Sequence, residues 1–325
     1  GASGRFPAPH LTECLLFSLF LPGLVFEDAF HIDARELRDN WLTILTLAVP
    51  GVVASTVLVA LALTVMVHFL HLSSGFGFKD GLVFGALISA TDPVAVVALF
   101  RTLGAPRRLT MLLDGESLLN DGTAVVFFTM SLSLLGGTTT HAGALGLQFL
   151  SIVGIGALIG AAVGAAASVL IRHIDDPMIE ITITTIAAYG SFSAAQALHS
   201  SGVIATVAAG MFCGNFGARP GMSASTRVAS GTFWEYVVFA LNSIIFLLIG
   251  LEVQPSKLLV YWAPILVAYA VVTVGRGLVI FAGRALLGFT RERFPWRWGG
   301  VLTWGGLRGA LPMVLALSLP ASFPY

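Results

Sequence analysis

Two short strings hold most of the chemistry this sequence offers: Ser89-Ala90-Thr91-Asp92-Pro93 and Gly115-Glu116-Ser117-Leu118-Leu119-Asn120-Asp121-Gly122. Two arginines accompany them, Arg276 and Arg308, the second within Gly305-Gly306-Leu307-Arg308-Gly309. All lie in otherwise apolar stretches, where a charge near the centre of a membrane helix costs roughly 2.5 to 3.5 kcal/mol on insertion scales. Each therefore needs a partner or a task. Pro93 disfavours the helical conformation at Asp92 and leaves a carbonyl of the preceding turn without its donor, so the segment is expected to break there. The Thr91 carbonyl or hydroxyl and the Asp92 carboxylate are hard oxygen ligands of the kind a small alkali cation takes. Ser117 and Asp121, four apart, share one helix face, and Glu116 with Asn120 share the adjacent one. The first face can complete an ion site while the second meets Arg276. In a plainer alternative these acids only pair with Arg276 and Arg308 to hold helices together, but that reading gives the proline break no purpose.

The elements that must position these groups are membrane helices. Of 325 residues, 56% are hydrophobic and only 10% charged, against about 25% charged in a soluble domain. Apolar runs divide the chain into ten candidate spans, near 11–27, 42–70, 80–100, 113–135, 146–171, 178–198, 202–217, 233–251, 258–283 and 298–319. Basic residues test the division, because cytoplasmic loops collect them. Loops after the odd-numbered spans hold twelve Lys or Arg and the intervening loops only Lys79 and Lys257. The odd set is thus assigned to the cytoplasm, with the chain starting outside. At a rise of about 1.5 Å per residue, Asp92, Asp121, Arg276 and Arg308 all reach one layer roughly 12 Å or more from the cytoplasmic edge. Gly156, Gly160 and Gly164, at four-residue spacing, predict a close helix contact rather than chemistry.

Other classes fit poorly. Formal net charge is zero with no basic stripe, so there is no footprint for a nucleic-acid partner. Cys14 and Cys213 lack metal or redox spacing and read as inert thiols. An intramembrane hydrolase would need signatures such as Gly-x-Ser-x-Gly or His-Glu-x-x-His, which are missing, and the seven histidines fall largely at span ends or in loops. A channel needs a continuous pore with selective rings, whereas these charges come from separate spans beside a broken helix. No signal peptide is evident, and both ends are abrupt.

The strings Ala90-Thr91-Asp92-Pro93-Val94-Ala95-Val96, Gly115 to Asp121 and Trp304-Gly305-Gly306-Leu307-Arg308-Gly309-Ala310, with Leu21-Pro22-Gly23-Leu24-Val25-Phe26-Glu27-Asp28-Ala29 before them, together resemble the sodium/proton exchanger branch of the monovalent cation:proton antiporters. The resemblance covers nearly the whole chain. It implies an all-α membrane fold of about thirteen spans in two inverted repeats with broken, crossing helices, of which this chain would lack the first two and the last. It further implies a single exchanger domain over 1–325. Within it a moving core (approximately 42–135 and 258–319) would work against a scaffold (approximately 11–27 and 178–251), joined by a linker helix at 146–171.

Carried over by position, the resemblance makes Asp121 and Asp92 the carboxylates of a cation/proton site, aided by Thr91 and Ser117 and shaped by Asn120. Glu27 is a further candidate ligand, Glu116 and Arg276 a structural ion pair, and Arg308 a near-site charge. The implied protein is a secondary active antiporter of the cell membrane and not an enzyme. It would use no cofactor, carry sodium or another monovalent cation against protons, and pair as a homodimer. The Asn120-Asp121 pair is the feature the family associates with electroneutral exchange. A potassium/proton antiporter and a monovalent cation channel stand as alternatives.

Overall fold

The computed structural model describes residues 16–70, 75–136, 142–218, 221–253 and 255–319, and the ordered elements among them are helical. The start of the first candidate span, together with Cys14, His10, His71, His141 and Arg219, lies outside the described residues. A π turn at Leu16–Phe20 leads into α1 (Leu21–His31), followed by the short α2 (Ala34–Asp39). Then come α3 (Trp41–Ala48), α4 (Pro50–Phe69), α5 (Phe78–Ser89), α6 (Val94–Leu103), α7 (Arg107–Leu135) and α8 (Ala142–Ile171). The remainder comprises α9 (Pro177–Ala197), α10 (Gly202–Phe212) with a π turn at Cys213–Ala218, α11 (Ala224–Glu252), α12 (Pro255–Val260), α13 (Trp262–Leu287), α14 (Trp296–Gly305) and α15 (Ala310–Leu317).

Six helical stretches are long and apolar enough to cross a membrane: Trp41–Phe69, Phe78–Leu103, Arg107–Leu135, Gly143–Ile171, Ala224–Leu251 and Trp262–Leu287. The α14–α15 pair, bent by 44° at a break, makes a seventh if counted as one span. The chain is an all-helical membrane protein, and its surface carries many exposed Leu, Ile, Phe and Val side chains, as lipid contact demands. Ten spans exceed what length and apolarity alone support, because α1 and α10 are only 11 residues each and α9 carries Glu180 in its first turn.

Helix ends follow local chemistry. Asp176 caps α9 by accepting from the Met178 and Ile179 amides, with Pro177 at the first position where its missing N–H is harmless. Ser201 caps α10 and Ser223 caps α11 in the same manner. Gly104 ends α6 in the left-handed region, at φ 67°, which a residue with a Cβ adopts at a cost.

Two apolar clusters organise the interior. The larger joins α7, through Leu112, Leu113 and Phe128, to Ile44, Val83, Ala86, Leu302 and Leu315. A second joins Phe26 and Phe30 of α1 to Ala167, Ala187, Ala209, Cys213 and Trp234. The glycine stripe of α8 packs as its spacing predicts: a Cβ at Gly156 would meet the Ser201 backbone, at Gly160 the Ala205 backbone and at Gly164 the Ala209 backbone. Gly160→Val is expected to destabilise the protein by roughly 1–3 kcal/mol or more through overpacking of α8 on α10. Gly146→Ala, where nothing lies within 4 Å, should leave thermal unfolding in detergent unchanged; equal melting of the two variants would contradict the packing.

Candidate functional site

Both proline- and glycine-rich strings interrupt helices. The segment Ala90 to Pro93 is non-helical between α5 and α6, and Gly306 to Gly309 is non-helical between α14 and α15. The two breaks touch, since the Asp92 backbone amide donates to the Leu307 carbonyl at 2.8 Å. Glycine is required on the second strand: a Cβ at Gly306 would collide with the Arg276 guanidinium, and one at Gly309 with the Asp92 side chain.

A helix that stops inside the protein leaves its last carbonyls without donors. Side chains of α7 and α13 supply them. Asn120 Nδ2 donates to Ser89 O at 2.9 Å and approaches Thr91 Oγ1 at 3.3 Å, while Ser117 Oγ donates to Thr91 O. Ser89 Oγ donates back to Ala86 O at 2.7 Å. On the other break, Arg276 Nη2 donates to Leu302 O at 2.9 Å and Nε to the same oxygen at 3.2 Å. At the start of α6, Asp92 Oδ1 accepts from the Val94 amide at 3.0 Å.

The same arginine makes a fork to Glu116, Nη1 to Oε1 at 3.1 Å and Nη2 to Oε2 at 3.0 Å. Both residues are buried, 8% and 3% exposed, so each charge depends on the other. Arg308 donates from Nη1 to Gly306 O at 2.6 Å, and its Nε is buried without a hydrogen-bond partner, as is Asn120 Oδ1. These two atoms' residues line one small void of about 20 Å³, with Ser55, Ser89, Glu116 and Arg276 around it.

On the opposite side of α7, Thr91, Asp92, Ser117 and Asp121 line a cavity of about 1200 Å³. It extends to Asp33, Glu36, Arg101, Gly104 and Arg107 at the α1–α2 and α6–α7 connections. Asp121 Oδ1 is buried and has no hydrogen-bond donor, so its capacity to accept remains open. An apolar cluster of Phe20, Leu241, Ile245, Ala310 and Val314 packs beside the cavity, and Ala310 belongs to both. Among the described residues no group of three or more His, Cys, Asp or Glu side chains is arranged to hold a metal ion.

The structure thus brings together Thr91, Asp92, Ser117, Asn120 and Asp121 as expected, and joins Glu116 to Arg276. Glu27 lines the same cavity from α1, but its carboxylate is engaged by His31 at 3.1 Å. Asp28, Asp114 and Glu235 also line the cavity, and sequence reasoning did not nominate them. Asp114 had a legible signal, because 114, 117 and 121 follow the i, i+3, i+7 spacing of one helix face. Glu235 had none, since only the packing of α11 brings it there.

Two interrupted helices that touch at their breaks, with side-chain-capped carbonyls and one carboxylate oxygen of Asp121 open beside them, place this chain in the class of interrupted-helix membrane proteins. Residues 9–324 match the family described as "Sodium/hydrogen exchanger, transmembrane", and the chain belongs to that family. It is 39% identical over 313 residues to the Na(+)/H(+) antiporter ApNhaP of Aphanothece halophytica, covering 96% of this chain and 59% of that protein. It is 36% identical to the Na(+)/H(+) antiporter NhaH of Halobacillus dabanensis, covering 96% of this chain and 75% of that one. The fold resembles the sodium proton antiporter MjNhaP1 of Methanocaldococcus jannaschii with a TM-score of 0.75 at 19% identity, over 95% of this chain and 76% of the other. The chain therefore spans about six-tenths of the length of the first of these relatives.

Removing one partner of a buried ion pair strands the other charge and costs roughly 3–5 kcal/mol. Arg276→Ala should therefore lower thermal stability strongly, the more so because Leu302 O loses its donor. Glu116→Leu combined with Arg276→Met should recover part of that loss; a double variant no more stable than Arg276→Ala would show that the pair's charges are not mutually dependent.

Proposed function

We propose that this chain is the exchanging domain of a sodium/proton antiporter, in which Asp121 and Asp92 bind either a cation or a proton. The observation that carries this reading is the contact of the two breaks beside Ser117 and Asp121, which line one large cavity. A carboxylate at such a depth is stable only when neutralised. A bound proton and a bound alkali ion satisfy that demand equally well, and each excludes the other, which couples their flows. Thr91, Ser117 and Asp92 add oxygens to the cation's shell, Asn120 holds the Thr91 strand in place, and Arg308 sets the local charge.

The cavity mouth carries Arg101 and Arg107, on the side that basic residues assign to the cytoplasm, so this conformation is the inward-facing one. The apolar cluster of Phe20, Leu241, Ile245 and Val314 is then the outer seal. Alternating access follows if the helices bearing the breaks, with α3, α4, α7 and α13, move as a core against α1, α9, α10 and α11. Counting α1, α9 and α10 as crossings completes ten spans of a thirteen-span, inverted-repeat architecture, with the scaffold helices pairing two copies. The Asn120-Asp121 pair supports electroneutral exchange, since Asn120 contributes no titrating charge.

In proteoliposomes of the full-length parent, Asp121→Asn is expected to reduce sodium-dependent proton flux at least about 100-fold. That corresponds to losing about 2.7 kcal/mol or more of stabilisation. Ser117→Ala should instead raise the half-saturating sodium concentration with a smaller effect on maximal rate. Flux through Asp121→Asn at the original rate, or conductance at a fixed single-channel level, would overturn the proposal. Parallel runs with lithium and potassium identify the preferred cation.

A further inference from the structure

Glu180, in the first turn of α9, is 0% exposed, and neither of its carboxylate oxygens has a hydrogen-bond partner. It lies well away in sequence and in the fold from the strings that build the ion site, and does not line the large cavity. The helix packed beside it offers a matching vacancy. Trp234 Nε1 of α11 donates to Thr184 Oγ1 of α9 at 3.1 Å. Further along the same two helices, Tyr189 of α9 and Leu241 of α11 both meet α1 at Gly23, so α9 and α11 run parallel. One turn back from Thr184 and Trp234 stand Glu180 and Ser230, at the same level of the two helices. Ser230 is also 0% exposed, and its hydroxyl is also without a partner.

The charged surroundings favour no anion. Asp175 and Asp176, immediately before α9, add like charge, and Asp176 is held as the helix cap. Of the described ionisable groups on the surrounding elements, Arg172 of α8 spends its guanidinium on Phe216 O and His173 bonds Val169 O. Arg227 of α11 donates to Met222 O, His31 of α1 pairs with Glu27, and Cys213 is a buried thiol. Glu180 lies near the end of α9, so the seal over it is thin and a proton from the nearby aqueous face has a short path.

We infer that Glu180 is a second proton-binding site, separate from the transport cavity, whose neutral carboxyl lies at the sealed contact of α9 with α11 at the level of the Ser230 hydroxyl. An ionised carboxylate there would be a bare charge against a dry contact. Losing the proton loosens α9 from α11 and releases Trp234, which packs against Phe26 in a tilted arrangement with ring centroids 4.7 Å apart. Glu235, Val238 and Phe239, which follow Trp234, form a wall of the large cavity. The site thus gives proton concentration a lever on that wall without touching the transported ion.

Thermal unfolding of the purified chain in detergent, across pH 5 to 9, tests this without any transport assay. The stability that the proton confers is present at acid pH, where folded and unfolded chains both hold it, and falls as the unfolded chain ionises while the folded one does not. Glu180→Gln should match wild type at the acid end and melt higher than wild type at the alkaline end. A variant that tracks wild type at every pH, or melts lower at alkaline pH, overturns the inference. Should Glu180→Gln fail to fold, Glu180→Leu carries the same test: an apolar side chain that cannot ionise should also remove the alkaline loss of stability seen in wild type, and a melting profile parallel to wild type across the pH range overturns the inference.

Discussion

The constraint on which this molecule depends is that a helix stopped in a dry layer must find donors for its last carbonyls. Two helices stop where their breaks touch, with the Asp92 amide on the Leu307 carbonyl. Ser117 and Asn120 cap the first, and Arg276 caps the second while holding Glu116. Each capping side chain therefore fixes the backbone of a break and, through α7, fixes Asp121 relative to Asp92. Once these donors are committed, the acceptors left over here are a carboxylate oxygen of Asp121, whose residue lines the large cavity, and Asn120 Oδ1, whose residue lines the small void. The binding capacity of the site is what remains after the backbone has been satisfied.

This arrangement explains why the ion pair is buried. Glu116 takes no part in lining the large cavity; it keeps the arginine that closes the α14 terminus. An apolar replacement for both would keep shape but leave Leu302 O without a donor. The glycines of the second strand have a similarly simple origin, because Arg276 and Asp92 occupy the space that side chains at 306 and 309 would need. Chemistry and packing are thus set by the same few atoms.

Much of the site was legible in the sequence, and for identifiable reasons. A proline after an aspartate in an apolar run announces the first break, four-residue spacing puts Ser117 beside Asp121, and a lone intramembrane arginine demands an acid. The capping bonds of Asn120 and Arg276 were not legible, because they end on backbone carbonyls that carry no side-chain signature. Asp28 and Glu235 escaped notice because a cavity wall is assembled from helices distant in sequence. The reading of ten spans runs ahead of the helices themselves where α1 and α10 are short and α10 ends in a π turn. Glu180 stood in plain view as a polar residue at a span edge, and only full burial without a partner distinguishes it from an ordinary interfacial acid.

The claim at the centre is that one group accepts either a proton or a cation and never both, and proton release on cation binding measures it directly. Adding sodium to the full-length parent in weakly buffered detergent at constant pH should release protons in proportion to sodium bound, and Asp121→Asn should abolish the release. Sodium binding with no proton released, or release of equal size from Asp121→Asn, would contradict the account.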